Sequence, residues 1–228
     1  MLDHANRRPI EAAPRSFLAN LLADTSLNAH RQAFRDDATL FEADDPATAL
    51  FGVHRGQVRL YQDGPSGGTR LVEIAGPEDV FGTAALSDEP TFGVRAVTAG
   101  PTVVSRVPAE DLLASLARRP VMLLELTRRL AGKLETARQE TADLIFRDCN
   151  DRLVRALVRL SRSPAATATA DGTVMLRLTH QQLAWSVGVA RETVSLALTD
   201  LRKHGLVTTG RNRVSFNPAR LAEGSRGR

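Results

Sequence analysis

The chain has 228 residues, of which 43% are hydrophobic, 25% charged and only 4% aromatic, enough to fill one large core or two small ones. No apolar run reaches the roughly 18 residues of a membrane span, Met1 to Arg15 holds no hydrophobic export segment, and the single Cys149 excludes a disulfide framework and four-cysteine zinc or iron–sulfur sites, so a cytoplasmic protein with no membrane partner is expected. The net charge of +4 is unevenly spread: residues 1–145 hold 16 Lys+Arg against 20 Asp+Glu, and residues 146–228 hold 14 against 6, a basic last third suited to nucleic acid.

A short helix is expected from Ser16 to Ala23, followed by a polar stretch. From about Thr39 to Pro108, short apolar segments (Ala49–Val53, Val58–Tyr61, Leu71–Ile74, Val94–Val97 and Val103–Val107) alternate with turn clusters such as Gly76-Pro77-Glu78-Asp79 and Gly100-Pro101. Many short strands between glycine turns predict an antiparallel jelly roll. Ala109 to Arg118 reads as an amphipathic helix stopped before Pro120. Val121 to Phe146 contains no helix breaker except Gly132 and reads as one long helix. Along it Thr127, Leu130, Leu134, Ala137, Thr141 and Leu144 recur at three- and four-residue steps, a heptad-like seam that suits a second copy of the same helix. Leu123, Leu126 and Leu130 offer another face, towards the chain's own barrel. A helix from Asp148 to Ser161 follows, then a small, polar surface loop from Ser163 to Gly172.

Leu178 to Val207 is the most informative stretch. Thr179 with Gln182 three residues later forms a capping box, and Leu183, Ala184 and Val187 give the helix behind it an inner face. Gly188 suits a sharp turn. A second helix, Arg191 to His204, buries Val194, Ala197, Leu198 and Leu201 and ends before Gly205. Small Ala184, turn Gly188 and apolar Val194 are the packing requirements of a helix-turn-helix, and Thr208 to Phe216 adds a hairpin wing.

The jelly-roll pattern, the long helix and Ala190-Arg191-Glu192-Thr193-Val194-Ser195 together resemble the CRP/FNR family of bacterial transcription regulators. Gly76-Pro77-Glu78-Asp79-Val80-Phe81-Gly82 resembles the family's Pro-Gly-Asp-hydrophobic-Phe-Gly turn, and Arg95-Ala96 its strand after the ligand loop. The implied fold is α+β: an antiparallel β jelly-roll sensor domain (1–119), a long dimerisation helix (120–146) and a C-terminal winged helix-turn-helix domain (147–228), with a hinge near Arg147 to Asn150. The implied partners are double-stranded DNA, a second copy of the chain and RNA polymerase.

The chemistry of the second helix agrees. Arg191 can donate twice to a guanine edge and Glu192 can accept from cytosine, with Ser195 on the same outer face. Leu196 stands where well-known members carry an arginine; it can only pack against a thymine methyl or a sugar, so no family half-site is transferred. Thr179, His180, Arg202, Arg211 and Arg213 are placed for phosphates, which position without reading sequence.

The family's cyclic-nucleotide binders use a Gly-Glu pair, an Arg-Ser pair and two hydroxyl residues on the long helix. Here Gly82 is followed by Thr83, Pro90-Thr91 falls where Arg-Ser would be, and Ala137 and Arg138 stand at the helix positions. The resemblance therefore argues against cyclic AMP. It leaves an unidentified effector, with Gly82, Thr83, Thr91, Arg95, Ala137 and Arg138 as pocket candidates, or none at all. His54 on a barrel strand is the one candidate haem ligand, although a lone strand histidine is more often structural. Cys149 is a buried thiol, a redox handle or an intersubunit disulfide half. A cupin-like enzyme would need clustered histidines, and only His54 of the five (His4, His30, His54, His180, His204) lies in the barrel; no nucleophile–base pair or phosphate loop is seen, so an enzyme is not expected. A regulatory module acting on a protein partner is the remaining alternative, disfavoured by the basic last third.

Overall fold

The computed structural model describes residues 16–226 except 66, 90 and 170. The expectation for Met1 to Arg15, and the one for Pro90, therefore lie outside the described residues.

The helix α1 (Phe17–Leu22) starts because the Ser16 hydroxyl accepts from the Ala19 N–H. It presses Phe17, Leu18 and Leu21 onto the barrel. The barrel is two four-stranded antiparallel sheets. One runs in the order β1 (His30–Phe34), β8 (Thr102–Pro108), β3 (Ala49–Arg55), β6 (Val80–Phe81). The other runs β2 (Thr39–Phe41), β7 (Arg95–Thr98), β4 (Val58–Asp63), β5 (Thr69–Ala75). A 3₁₀ turn, Thr83–Leu86, follows β6. The strand β1 gives little apolar signal because His30 to Ala33 are exposed and only Phe34 packs inward; it is held as an edge through backbone pairing of His30 to Phe34 with Arg106 to Thr102.

The helix α2 (Ala109–Arg118) leads into α3 (Pro120–Phe146), with proline at the first helical position, where a missing N–H costs nothing. Met122 and Leu126 of α3 pack with α1 and with Leu112 and Leu116 of α2. Farther along, Lys133 reaches back to the barrel, donating to the Glu73 carboxylate at 2.7 Å and the Val80 carbonyl at 2.9 Å. The carboxyl of Asp24, just past α1, accepts from Ser115 of α2 and from Ser26, which holds it well below the usual carboxylate range.

After Phe146 the chain is extended at Arg147, and Asp148 caps α4 (Cys149–Leu160) by accepting from the Asp151 N–H. The rest is a second domain. Its sheet, in the order β11 (Val207–Gly210), β12 (Arg213–Phe216), β10 (Val174–Leu176), β9 (Ala166–Ala168), packs on α4, α5 (His180–Val187), α6 (Arg191–Lys203) and α7 (Pro218–Arg226). The expected Ser163–Gly172 loop needs correction. Ala166–Ala168 pairs with Leu176–Val174, because small side chains suffice for an edge strand whose partner supplies the apolar face.

The bend between α3 and α4 is braced by shared carboxylates. Glu140 accepts from Arg70 of β5 at 2.8 Å and lies 3.1 Å from Arg159 of α4, while Asp143 holds Arg147 at 2.8 Å and Arg155 at 3.7 Å. Barrel, long helix and second domain are thus joined through two anionic side chains.

Candidate nucleic-acid interface and sensor interior

The helix-turn-helix is built by local chemistry. Thr179 Oγ1 accepts from the Gln182 N–H at 3.1 Å while Gln182 Oε1 accepts from the Thr179 N–H at 3.0 Å, so two orphan donors are satisfied at once. Such a cap contributes typically about 1 kcal/mol. Gly188 closes α5 at φ +73°, a left-handed conformation that a side chain would strain, and turns the chain into α6. Leu183, Ala184, Val194, Ala197, Leu198 and Leu201 are buried between the helices and the sheet.

The outer face of α6 carries Arg191, Glu192 and Arg202, all exposed, and Leu196, 73% exposed. Among the described residues this leucine is not part of the buried cluster of its domain, nor packed against it. Ser195 is different: it is half-buried, its hydroxyl donates to the Arg191 carbonyl at 3.0 Å, and His180 Nδ1 lies 3.0 Å from its oxygen. Ser195 and His180 therefore hold the start of α5 against α6. At the wing tip Arg211 and Arg213 are exposed beside Asn212, which takes φ +54° as asparagine tolerates.

The barrel interior is filled by four phenylalanines. The rings of Phe41 and Phe92 stack at 3.8 Å between centroids, Phe41 and Phe51 meet at 5.3 Å, and Phe51 and Phe81 stack at 5.3 Å. Gly82 takes φ +77° beside them, and a Cβ there would press on Phe51 and Phe92. Of the other pocket candidates, Thr83 opens the 3₁₀ turn and Thr91 bridges Pro46, both half-buried. Arg95 is engaged elsewhere: it lies between Glu42 at 3.8 Å and Asp63 at 3.6 Å, with its guanidinium 5.1 Å from the Tyr61 ring centroid. Ala137 and Arg138 are exposed on α3. The geometry thus gathers Gly82 at the aromatic core but turns Arg95 to its own acidic partners.

His54 Nε2 lies 2.7 Å from Ser105 Oγ across β3 and β8, a structural bond of the barrel wall. Burial, with Arg31 adding repulsion and Glu78 opposing, pushes its pKa below the ordinary histidine value. The folded chain then holds a neutral ring while the unfolded chain takes up a proton as pH falls through about 6.5, so stability is lost on acidification. The urea midpoint is expected to be lower at pH 5.5 than at pH 7.5, and His54→Gln should flatten that dependence. An unchanged slope in the variant would remove His54 as its source.

Along α3 the seam candidates Thr127, Leu134, Ala137, Thr141 and Leu144 are exposed, Leu144 with a methyl near Gly188, whereas Leu130 is half-buried in the packing of α3 on α1, α2 and the barrel. Cys149 is half-buried at the first turn of α4. Among the described residues no three His, Cys, Asp or Glu side chains converge as a metal site, and no helix is long and apolar enough to cross a membrane.

Sequence reasoning missed the join between the domains. Tyr61 of β4 meets Trp185 of α5 edge-on at 5.6 Å, and Leu71, Ile74 and Val97 of the barrel share one buried cluster with the helix-turn-helix core. Gln57 donates to the Pro164 carbonyl beside it. The available signal was the chain's one tyrosine and one tryptophan, both at apolar positions.

Known proteins match both domains of this arrangement. The cyclic nucleotide-binding domain family matches residues 31–119, and the Crp-like helix-turn-helix domain family matches residues 151–223. The chain is 31% identical over 193 residues to the cyclic AMP receptor protein of Thermus thermophilus, covering 85% of this chain and 86% of that one. It is also 31% identical over 194 residues to a CRP-like cAMP-activated global transcriptional regulator of Mycobacterium tuberculosis, covering 82% and 84%. The solved structure of FixK2 from Bradyrhizobium japonicum superimposes with a TM-score of 0.72 at 25% identity, over 86% of this chain and 96% of that one. The second of these relatives is named as a transcriptional regulator, and the matched C-terminal family is a helix-turn-helix family, a DNA-binding architecture. With both domains matched in order and over most of its length, the chain belongs to the CRP/FNR family of transcription regulators.

Proposed function

We propose that the chain is a non-catalytic, cytoplasmic regulator that binds a two-fold-symmetric operator as a homodimer and acts on RNA polymerase. The observation that carries this reading is the exposed outer face of the first two turns of α6, where Arg191, Glu192 and Leu196 stand clear of a buried Val194–Leu198–Leu201 face, beside a wing bearing Arg211 and Arg213. Arg191 and Glu192 read base edges, Leu196 offers apolar contact, Ser195 positions His180, and Thr179, His180, Arg202, Arg211 and Arg213 meet the backbone. The functional units are the barrel 1–119, the helix 120–146 and the winged domain 147–228.

Dimerisation uses the face of α3 turned away from the barrel. Leu123, Thr127, Ala131, Leu134, Arg138, Thr141 and Ile145 are exposed and recur at steps of 4, 4, 3, 4, 3 and 4, with Leu134 at 54% and Ile145 at 68% exposure. This seam shares Thr127, Leu134 and Thr141 with the one expected on spacing alone and leaves out Leu130, which is half-buried against the packing between α3 and the barrel, while Leu144 stays exposed beside it. Two helices paired here would set the recognition helices about one DNA turn, roughly 34 Å, apart.

The effector is not cyclic AMP in this reading. Thr83 stands where a glutamate would hold the ribose, Arg95 is committed to Glu42 and Asp63, and four phenylalanines fill the interior. Cyclic AMP remains the second reading, because the names of two relatives specify it. Selection of bound DNA from a random library, with dialysed protein alone and again with cyclic AMP, decides between them. A two-fold-symmetric motif without nucleotide is expected. A motif recovered only with cyclic AMP overturns the effector reading; none under either condition, and none with protein carrying its native ligand from the host cell, overturns the operator reading.

A further inference from the structure

Four arginines converge where the barrel meets the wing. Arg59 of β4, Arg177 just after β10, and Arg211 and Arg213 of the wing line a cleft of about 420 Å³ together with Thr179 and Gln182, and no carboxylate lines it. At the bend between α3 and α4 the chain sets carboxylates among its basic side chains: Arg70 and Arg159 share Glu140, and Arg147 and Arg155 share Asp143. None of the four cleft arginines forms an ion pair among the described residues.

The remaining chemistry of the lining is also donor-rich. The capping box uses Thr179 Oγ1 and Gln182 Oε1 as acceptors, so the Thr179 O–H and the Gln182 amide N–H groups remain as donors. Arg59 Nη2 donates to the Arg177 carbonyl at 3.3 Å, yet its Nε is shielded from solvent with no partner. Four like charges around a cleft of donors repel one another unless an anion sits among them, and a guanidinium fork matches a phosphate's oxygens two at a time.

We infer that this cleft binds a phosphate group, gripped between Arg59 of the sensor barrel and Arg211 and Arg213 of the wing. A DNA-backbone phosphodiester and a soluble phosphorylated molecule present the same tetrahedral oxyanion. Either occupant touches both domains, so filling the cleft favours the orientation in which barrel and wing are docked. The backbone case extends the operator reading by adding a sensor residue to the contact surface; the soluble case does not depend on it.

Inorganic pyrophosphate titrated into the full-length protein by calorimetry tests the site. The variants are Arg59→Gln and, as a remote control, Arg31→Gln on β1. For a soluble ligand, pyrophosphate binds saturably, Arg59→Gln weakens it at least tenfold, Arg31→Gln leaves it unchanged, and pyrophosphate displaces a duplex. For a backbone phosphate, pyrophosphate does not saturate. Arg59→Gln then weakens binding to a duplex of any sequence and lowers the slope of log K against log salt by about 0.9 for each cleft engaged. Absence of saturable pyrophosphate binding, with duplex affinity and salt slope unchanged in a folded Arg59→Gln protein, overturns the proposal. Failure of the operator reading is separately visible, since it removes sequence preference from the wild type while the pyrophosphate arm still reports on the cleft.

Discussion

Replacing Arg191 with alanine is expected to abolish operator recognition while leaving the fold and the weak binding to unrelated DNA intact. Arg191 is exposed at the first turn of α6 and contributes nothing to the buried face, which consists of Val194, Ala197, Leu198 and Leu201. A bidentate arginine–guanine contact is worth about 1–3 kcal/mol of discrimination. A dimer carries it twice, so specific affinity should fall by roughly 30-fold to 10⁴-fold. Fluorescence anisotropy with the selected operator and a scrambled duplex measures both quantities. A variant that keeps its preference for the operator would transfer base reading to other residues of the helix.

The second large effect is expected at Leu134. It lies at the middle of the outward face of α3, more than half exposed in the isolated chain, so Leu134→Glu should not disturb the monomer fold. In the paired helices it removes two apolar side chains, each contributing about 1.5–3 kcal/mol when buried, and sets two carboxylates across the seam. The dimer dissociation constant should rise by roughly 10²–10⁴-fold, visible by sedimentation at micromolar protein. Operator binding should fall with it, because the half-sites are then gripped independently. An unchanged dimer would put the interface on another surface. A lowered thermal midpoint of the monomer would instead mean that Leu134 supports the barrel.

How much of this was legible beforehand follows from the range over which each signal acts. The helix-turn-helix was readable because its determinants are local: Thr179 and Gln182 satisfy each other three residues apart, and Gly188 answers for its own turn. The long helix was readable for the same reason; which of its faces meets the barrel was not. Periodicity says that Leu130 is apolar at a suitable step; it does not say that α1, α2 and the barrel already half-cover it. The edge strands β1 and β9 escaped because edge pairing is made by backbone, and His30–Phe34 and Ala166–Ala168 carry little apolar pattern. The helix α7 escaped because its start rests on Asn217, whose side chain accepts from the Ala219 and Arg220 N–H groups, ahead of a proline that also reads as a breaker. In the candidate sites, the recognition residues stood in one short string, whereas Phe41, Phe51, Phe81 and Phe92 meet only after two sheets close. The commitment of Arg95 to Glu42 and Asp63 likewise spans distant segments.

Trp185 is the chain's sole indole, and it sits with its edge against Tyr61 at the join between the barrel and the winged domain. Its emission therefore comes from one location, set by whether the two domains touch. Parting them would expose the indole to water and shift its spectrum to the red, whereas changes at the wing tip or along the far face of α3 would leave it alone. The unlabelled protein thus carries an optical gauge of domain docking, one that can be followed on mixing with DNA or with any candidate effector.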